Sequence, residues 1–283
     1  MKLYTVSDGG AAYLSAEKDG GLVDLTAVGV AGSMLELIQM GAAGLEAARK
    51  ALAIGAPRIA VKDAKLLAPI PRPGKVLCSG INYRGHALEN PNAKMPSEPF
   101  FFAKLQSSVV GPEASIAHPP QTRQMDYEVE FSAVIGRRLS RARDEDVMDA
   151  LFGYTLLHDV SARDVQFKDN QITLGKNFDG FAPIGPCIVT RDAMPQPDNV
   201  RLMTRLNGKT MQDGSTSDWL FPLPRLIAFL SQVMTLEPGD IVSTGTPAGV
   251  GLFQKPPVFM KAGDVVEIEA EGIGVLRNSI VAG

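Results

Sequence analysis

Cysteine is scarce in this chain. Its 283 residues include only Cys78 and Cys187, which stand far apart in sequence with no ligand-like histidine beside either. That spacing speaks against a disulfide framework and against a cysteine–histidine zinc site. It predicts two buried thiols in a reducing compartment, the cytoplasm by default. Runs of basic residues are also missing, and the formal net charge is only −3. A nucleic-acid binder needs a basic patch or stripe, so nucleic acid is excluded as a partner. No basic amphipathic helix suits a membrane surface. No apolar run approaches the ~20 residues that span a bilayer. The opening Met1-Lys2-Leu3-Tyr4-Thr5-Val6-Ser7-Asp8 lacks the apolar core of a signal peptide. What remains, 45% hydrophobic and 21% charged residues, is ordinary for a globular protein.

The length predicts one large domain, or a large domain with a small one. Residues 1–68 read as a small α/β unit. Lys2–Ser7, Ala12–Glu17 and Leu22–Leu25 are strand-like and are separated by Asp8-Gly9-Gly10 and Lys18-Asp19-Gly20-Gly21 turns. Two helices follow over Met34–Met40 and Leu45–Ile54, with Ser33 as a cap and Gly55 as a stop. Pro69-Ile70-Pro71-Arg72-Pro73-Gly74 is a stiff, helix-breaking connector, which puts the boundary at 68/69 and the second unit at 69–283. That unit is strand-rich, with candidates at Lys75–Ser79, Tyr127–Ile135, Tyr154–Asp159, Cys187–Thr190, Leu202–Leu206, Ile241–Thr244 and Val265–Glu269. Asn207-Gly208 is a type I′ hairpin signal, and Leu223–Met234 is the convincing helix of this half. Many strands with few helices predict a mixed, β-rich α+β fold with a rolled or barrel-like sheet.

The most informative pattern is a pair of acids, Glu128 and Glu130, in Met125-Asp126-Tyr127-Glu128-Val129-Glu130-Phe131. The alternation has the period of a half-buried strand, so the two carboxylates project to one face. At ~4 Å and an effective dielectric of ~20 they repel by roughly 4 kcal/mol. No Lys or Arg on the same strand offsets this, whereas a hard divalent cation such as Mg²⁺ or Mn²⁺ would. Asp159 ends the apolar run Tyr154-Thr155-Leu156-Leu157-His158 and needs a partner if buried. The alternative is a wet edge strand with Asp159 capping a helix that starts near Ser161. His86 and Glu89 fall at i and i+3 if their segment is helical. A carboxylate beside the imidazole makes it a base able to deprotonate water, although a surface His–Glu pair has the same spacing. Lys176, set among glycine, proline and phenylalanine, is suited to a developing oxyanion, or is a solvated loop lysine. Ser243–Gly251 follows a strand and can present N–H groups to a carboxylate. It lacks the Lys-Ser/Thr of a phosphate loop.

Five segments in one order resemble the fumarylacetoacetate hydrolase family, in its bacterial acylpyruvate and 2,4-diketo-3-deoxy sugar acid branch. They are Asn82-Tyr83 with His86 and Glu89, Tyr127–Glu130, Asp159–Gln166, Gly175–Pro186, and Thr244–Gly251. The resemblance implies that family's β-sandwich roll, usually as a homodimer. It implies Mg²⁺ or Mn²⁺ on Glu128, Glu130 and Asp159, and a water-activating dyad of His86 and Glu89 on a lid. Arg163, Gln166 and Lys176 would face the substrate, and Thr246 would bind its carboxylate end. The implied reaction is hydrolysis of a C–C bond in a 2,4-diketo acid, giving pyruvate and a carboxylic acid. Oxaloacetate decarboxylation and keto–enol or dienoate isomerisation use the same centre, and a silent organic-acid binder is the alternative outside enzymology. The sequence departs from the pattern at His158, where many relatives have Asn, at Gly85 and Leu88 near the dyad, and over 167–172.

Overall fold

In the computed structural model, residues 1–90, 94–168 and 172–283 are described; residues 169–171 of the divergent stretch lie outside them. The strand Val129–Ile135 is buried along its whole length, where the alternation predicts one wet face. The difference arises from its position inside a sheet. It pairs antiparallel with Leu151–His158 on one side and with Ile241–Ser243 on the other. Val129, Phe131, Ala133 and Ile135 enter the main core, while Val134 joins a second core on the opposite face. A strand covered on both faces carries little outward polarity, and here Glu130 and Ser132 are its buried polar residues.

The large sheet has twelve strands among the described residues. Its main path runs Ile59–Ala60, Gly21–Asp24, Tyr13–Lys18, Lys2–Ser7, Ala182–Thr190, Leu151–His158, Val129–Ile135, Ile241–Ser243, Val76–Ser79 and Phe101–Lys104. A second sheet of five strands is ordered Lys209–Ser215, Arg201–Leu206, Val265–Ala270, Gly274–Ala282 and Ser115–His118. Leu202, Ile268 and Leu276 of the second sheet share a core with Phe131, Tyr154 and Leu156 of the first. The architecture is therefore a β-rich α+β sandwich that rolls around this core. The helices Met34–Gln39 and Gly41–Ile54 cover the far face of the large sheet through Leu37, Ile38 and Ala48. Ser33 caps the first of them, accepting a bond from Glu36 N at 3.2 Å.

The leading residues do not form a sheet of their own. Lys2–Ser7 pairs antiparallel with Ala182–Thr190, so the large sheet continues across the connector at 69–74. The Asn207-Gly208 turn has φ values of 51° and 79°, the left-handed pair of a type I′ hairpin, and joins the antiparallel strands Arg201–Leu206 and Lys209–Ser215. Both cysteines are buried and free. Among the described residues no helix is long and apolar enough to cross a membrane.

Register places the chemistry. Val129 pairs with His158, so the start of one central strand meets the end of the other. Asp159 then emerges beside Glu128, and Asp159 N donates to Glu128 O at 3.0 Å. The Phe131 ring anchors this junction from below, 5.1 Å from Tyr154 and 6.1 Å from Trp219. Phe131→Ala should lower unfolding free energy by about 3–5 kcal/mol. Urea denaturation followed by fluorescence of Trp219, the single tryptophan of the chain, measures it; a loss below about 1 kcal/mol would show that the junction does not depend on this ring.

Candidate metal centre

Glu128, Glu130 and Asp159 are brought together. All three are buried, and each offers an oxygen within 4.8 Å of the others'. Glu128 lies in the short break between the strands Met125–Asp126 and Val129–Ile135, and Asp159 lies just past Leu151–His158. The repulsion expected from the sequence is met by cations from elsewhere in the chain. Arg163 Nη2 donates to Glu128 Oε1 at 2.6 Å. Lys176 Nζ bridges Glu128 Oε2 at 2.7 Å and Asp159 Oδ2 at 2.6 Å. Burial pushes the Glu128 carboxyl up, but Arg163 and Lys176 outweigh it and hold the group well below the usual range. Burial likewise pulls Lys176 down, and Asp159 and Glu128 reverse that and raise it.

Lys104 is the cation that the sequence reading missed. Its ammonium is buried and donates to Val160 O at 3.0 Å, Lys176 O at 2.5 Å and Phe181 O at 2.8 Å. Asp159 Oδ1 lies 2.5 Å from the same ammonium as its ion-pair partner. Burial lowers Lys104, and Asp159 opposes that shift. The signal was present in the sequence, since Lys104 ends the apolar run Phe101-Phe102-Ala103 much as Asp159 ends its own.

Glu130 is left out of this balance. Its Oε2 is buried without a hydrogen-bond partner among the described residues. Burial first, and then the charges of Asp159 and Glu128, push its carboxyl well above the ordinary value. An uncompensated carboxyl beside two others, all hard oxygen donors, is what Mg²⁺ or Mn²⁺ requires. The residues present fit such an ion.

Two of the three acids face a cavity of about 350 Å³ whose lining includes Glu128, Glu130, Arg163, Gln166, Lys176, Thr246 and His86. The sequence-predicted site residues Arg163, Gln166, Thr246 and Lys176 thus share one cavity with Glu128 and Glu130. Its rim is aromatic, with Phe100, Phe102, Phe167 and Phe253. His86 and Glu89 sit on the short helix Arg84–Glu89. His86 Nδ1 is 2.6 Å from Glu89 Oε2, and Glu89 Oε1 accepts from Gly249 N at 2.7 Å. The glycine-rich loop thus spends this N–H on the dyad, where the sequence suggested a substrate carboxylate. Asp218 Oδ2 holds the helix start by accepting from Gly85 N at 2.8 Å. Thr246 Oγ1 accepts from Gln212 Nε2 at 2.8 Å, and Gln212 Oε1 accepts from Val129 N at 3.1 Å. The strand that carries Glu130 is thereby tied to the loop that carries Thr246.

Two outcomes follow from these charges. A cation must displace the proton that the raised Glu130 retains, so ion binding strengthens as pH rises out of the carboxylate range. The increase in melting temperature produced by Mn²⁺ should therefore grow with pH, and Glu130→Gln should abolish it; scanning calorimetry with and without Mn²⁺ reads both. His158 is buried, its Nε2 has no partner, and burial together with Lys104 depresses its pKa to about 3. The unfolded chain binds this proton at about 6.5, so the folded state loses stability as pH falls from there toward about 3. His158→Asn should flatten that part of the curve of melting temperature against pH. An unchanged slope would show that His158 does not set it.

Residues 75–281 match the model of the fumarylacetoacetate (FAA) hydrolase C-terminal family. The chain is 44% identical over 265 residues to the mitochondrial oxaloacetate tautomerase Fahd2a of Rattus norvegicus, covering 93% of this chain and 84% of that protein. The structure of the fumarylacetoacetate hydrolase from psychrophilic Exiguobacterium antarcticum superposes with a TM-score of 0.85 at 37% identity, covering all of both chains. That of maleylpyruvate hydrolase from Sphingobium sp. SYK-6, in complex with manganese(II) ion and pyruvate, does so with a TM-score of 0.83 at 30% identity, again over all of both chains. A family match over most of its length, together with relatives 44% and 37% identical over nearly all of the chain, makes this chain a member of the fumarylacetoacetate hydrolase family.

Proposed function

We propose that the protein is a Mg²⁺- or Mn²⁺-dependent tautomerase that interconverts the keto and enol forms of a 2-oxo acid of the oxaloacetate type. The observation that carries this reading is the formed His86–Glu89 dyad, whose imidazole faces the same cavity as Glu128 and Glu130 of the acidic triad. Identity to an oxaloacetate tautomerase over nearly the whole chain supports it. The ion, held by Glu128, Glu130 and Asp159, would supply Lewis-acid polarisation of the substrate's carboxylate and keto oxygens. The chain's own groups then move one proton. Glu89 fixes the imidazole through Nδ1, which leaves Nε2 as the nitrogen that exchanges protons. Nε2 takes a proton from C3 of the keto form and returns it to the C2 oxygen, giving the enol; the reverse order gives the keto form. No water is consumed. Lys176 and Arg163 supply positive charge toward the enolate oxygen and the carboxylates.

Hydrolysis of an acylpyruvate, the first expectation from the sequence, is the second reading. The cavity of about 350 Å³ extends to an aromatic rim that a four-carbon acid does not need, and the maleylpyruvate hydrolase structure is similar throughout. In that reaction Nε2 takes its proton from water instead. Within this proposal residues 1–68 extend the large sheet and cover its far face, and residues 69–283 carry the chemistry. The partner is a small organic acid, and the assembly is a homodimer. The cytoplasm is the proposed compartment, although the rat relative is named as mitochondrial.

With Mn²⁺ present, the protein should accelerate ketonisation of enol-oxaloacetate, followed by the fall of enol absorbance, without releasing pyruvate. His86→Ala should slow this by about 10²–10⁴-fold. Pyruvate release from acylpyruvates without ketonisation would overturn the tautomerase reading in favour of hydrolysis. Release from oxaloacetate would indicate decarboxylation. Thermal stabilisation by these acids with no turnover would indicate a binder.

A further inference from the structure

We infer that Asp126 is the positioning residue that sets how Arg163 meets the distal carboxylate of the substrate. The inference rests on the 2-oxo-acid reading above. Asp126 is fully buried and belongs neither to the acidic triad nor to the dyad. Its two oxygens accept four hydrogen bonds. Oδ1 takes Tyr127 N at 2.8 Å and Gly251 N at 2.7 Å, and Oδ2 takes Leu252 N at 3.0 Å and Arg163 Nε at 2.9 Å. A carboxylate has about four acceptor sites, so this one is saturated.

Those four donors come from three separate segments, and two of the donor residues, Leu252 and Arg163, line the cavity. Tyr127 precedes the metal-facing Glu128. Leu252 lines the cavity with Phe253, whose ring centroid lies 6.1 Å from that of His86. The approach of the 251–252 backbone requires glycine at 251, where a Cβ would fall 1.9 Å from Val258 O and 2.6 Å from Asp126 Oδ1. Arg163 is gripped at Nε by Asp126 and at Nη2 by Glu128, which leaves Nη1 with the weaker contact, Gln166 Oε1 at 3.2 Å. A guanidinium held at two of its three nitrogens is a fixed plane. Its Nη1 edge is then the part free to exchange Gln166 for a substrate carboxylate, while the triad holds the 2-oxo-acid end. An amide at 126 cannot maintain this. Whichever oxygen becomes NH₂, two N–H donors lose their acceptor and face a third donor.

Two unreactive acids separate the ends of the substrate. Oxalate carries the chelating end alone, and malate adds a distal carboxylate. Titration calorimetry with Mg²⁺ should show Asp126→Asn weakening malate about tenfold or more, with oxalate changed less than about twofold. The double variant with Arg163→Gln should bind malate no more weakly than Arg163→Gln alone, since the effect of Asp126 passes through Arg163. Equal loss of both acids, no loss of malate, or additive losses in the double variant would each overturn the inference and leave the functional reading standing. Failure of the wild-type protein to bind either acid would sink that reading and this inference with it.

Discussion

The structure depends on keeping several carboxylates dry in one place. Glu128, Glu130, Asp159 and Asp126 are all buried, and three buried cations, Arg163, Lys176 and Lys104, pair with three of them. Removing any one charge from water is costly, and a pair recovers that cost only with good geometry and full hydrogen bonding. That requirement explains the surrounding architecture. Lys104 is held by three carbonyls, and Asp126 accepts four hydrogen bonds. Where balance is incomplete, at Glu130, the deficit lies beside the other two acids of the triad. A set of acids fully neutralised by side chains would have little affinity for a cation. A set with none of these partners would be a poor core for two packed sheets.

The anchors also connect elements distant in sequence. Lys104 ties the edge strand Phe101–Lys104 to the segments at Val160, Lys176 and Phe181. Gln212 joins the second sheet to the first through Val129 and reaches Thr246 on the glycine-rich loop. Gly249 N on the same loop restrains Glu89 of the dyad. The cavity is therefore not a gap between rigid bodies. Each wall is hydrogen-bonded to a wall that carries another part of the chemistry, and catalytic groups need that kind of support to hold their geometry.

What could be read from the sequence divides along physical lines. Glu128, Glu130 and Asp159 were legible because acids at period two, and an acid closing an apolar run, conflict with burial unless something binds them. The hairpin at Asn207-Gly208 was legible because its φ values are a local property. Lys104 closes an apolar run as Asp159 does, but its partners, like those of Asp126, are set by register and cannot be read locally. Lys104 acts across the sheet on residues between 56 and 77 positions away, and Asp126 meets Gly251 across 125. The half-buried reading of the Glu130 strand failed for a related reason. Alternation in one strand reports its own two faces, but not that a second sheet and two helices cover both.

On the proposed mechanism, tautomerisation and C–C hydrolysis would differ in what His86 deprotonates. The buried charges would serve both, since each reaction needs a 2-oxo acid held at its chelating end with positive charge near the enolate oxygen. The difference must therefore lie in the upper cavity, where Phe100, Phe102, Phe167 and Phe253 line the space around the dyad. On that proposal, a small dicarboxylic acid whose far end is drawn to Arg163 would bring its C3 toward the imidazole. A longer acyl chain, lying along the aromatic rim, would present its distal carbonyl and leave room for water. On this argument the placement of Arg163, more than the identity of the metal or the base, selects which proton is taken. Divergence of activity among proteins that share the acids and the dyad then requires changes only in the residues that aim the guanidinium and shape the rim.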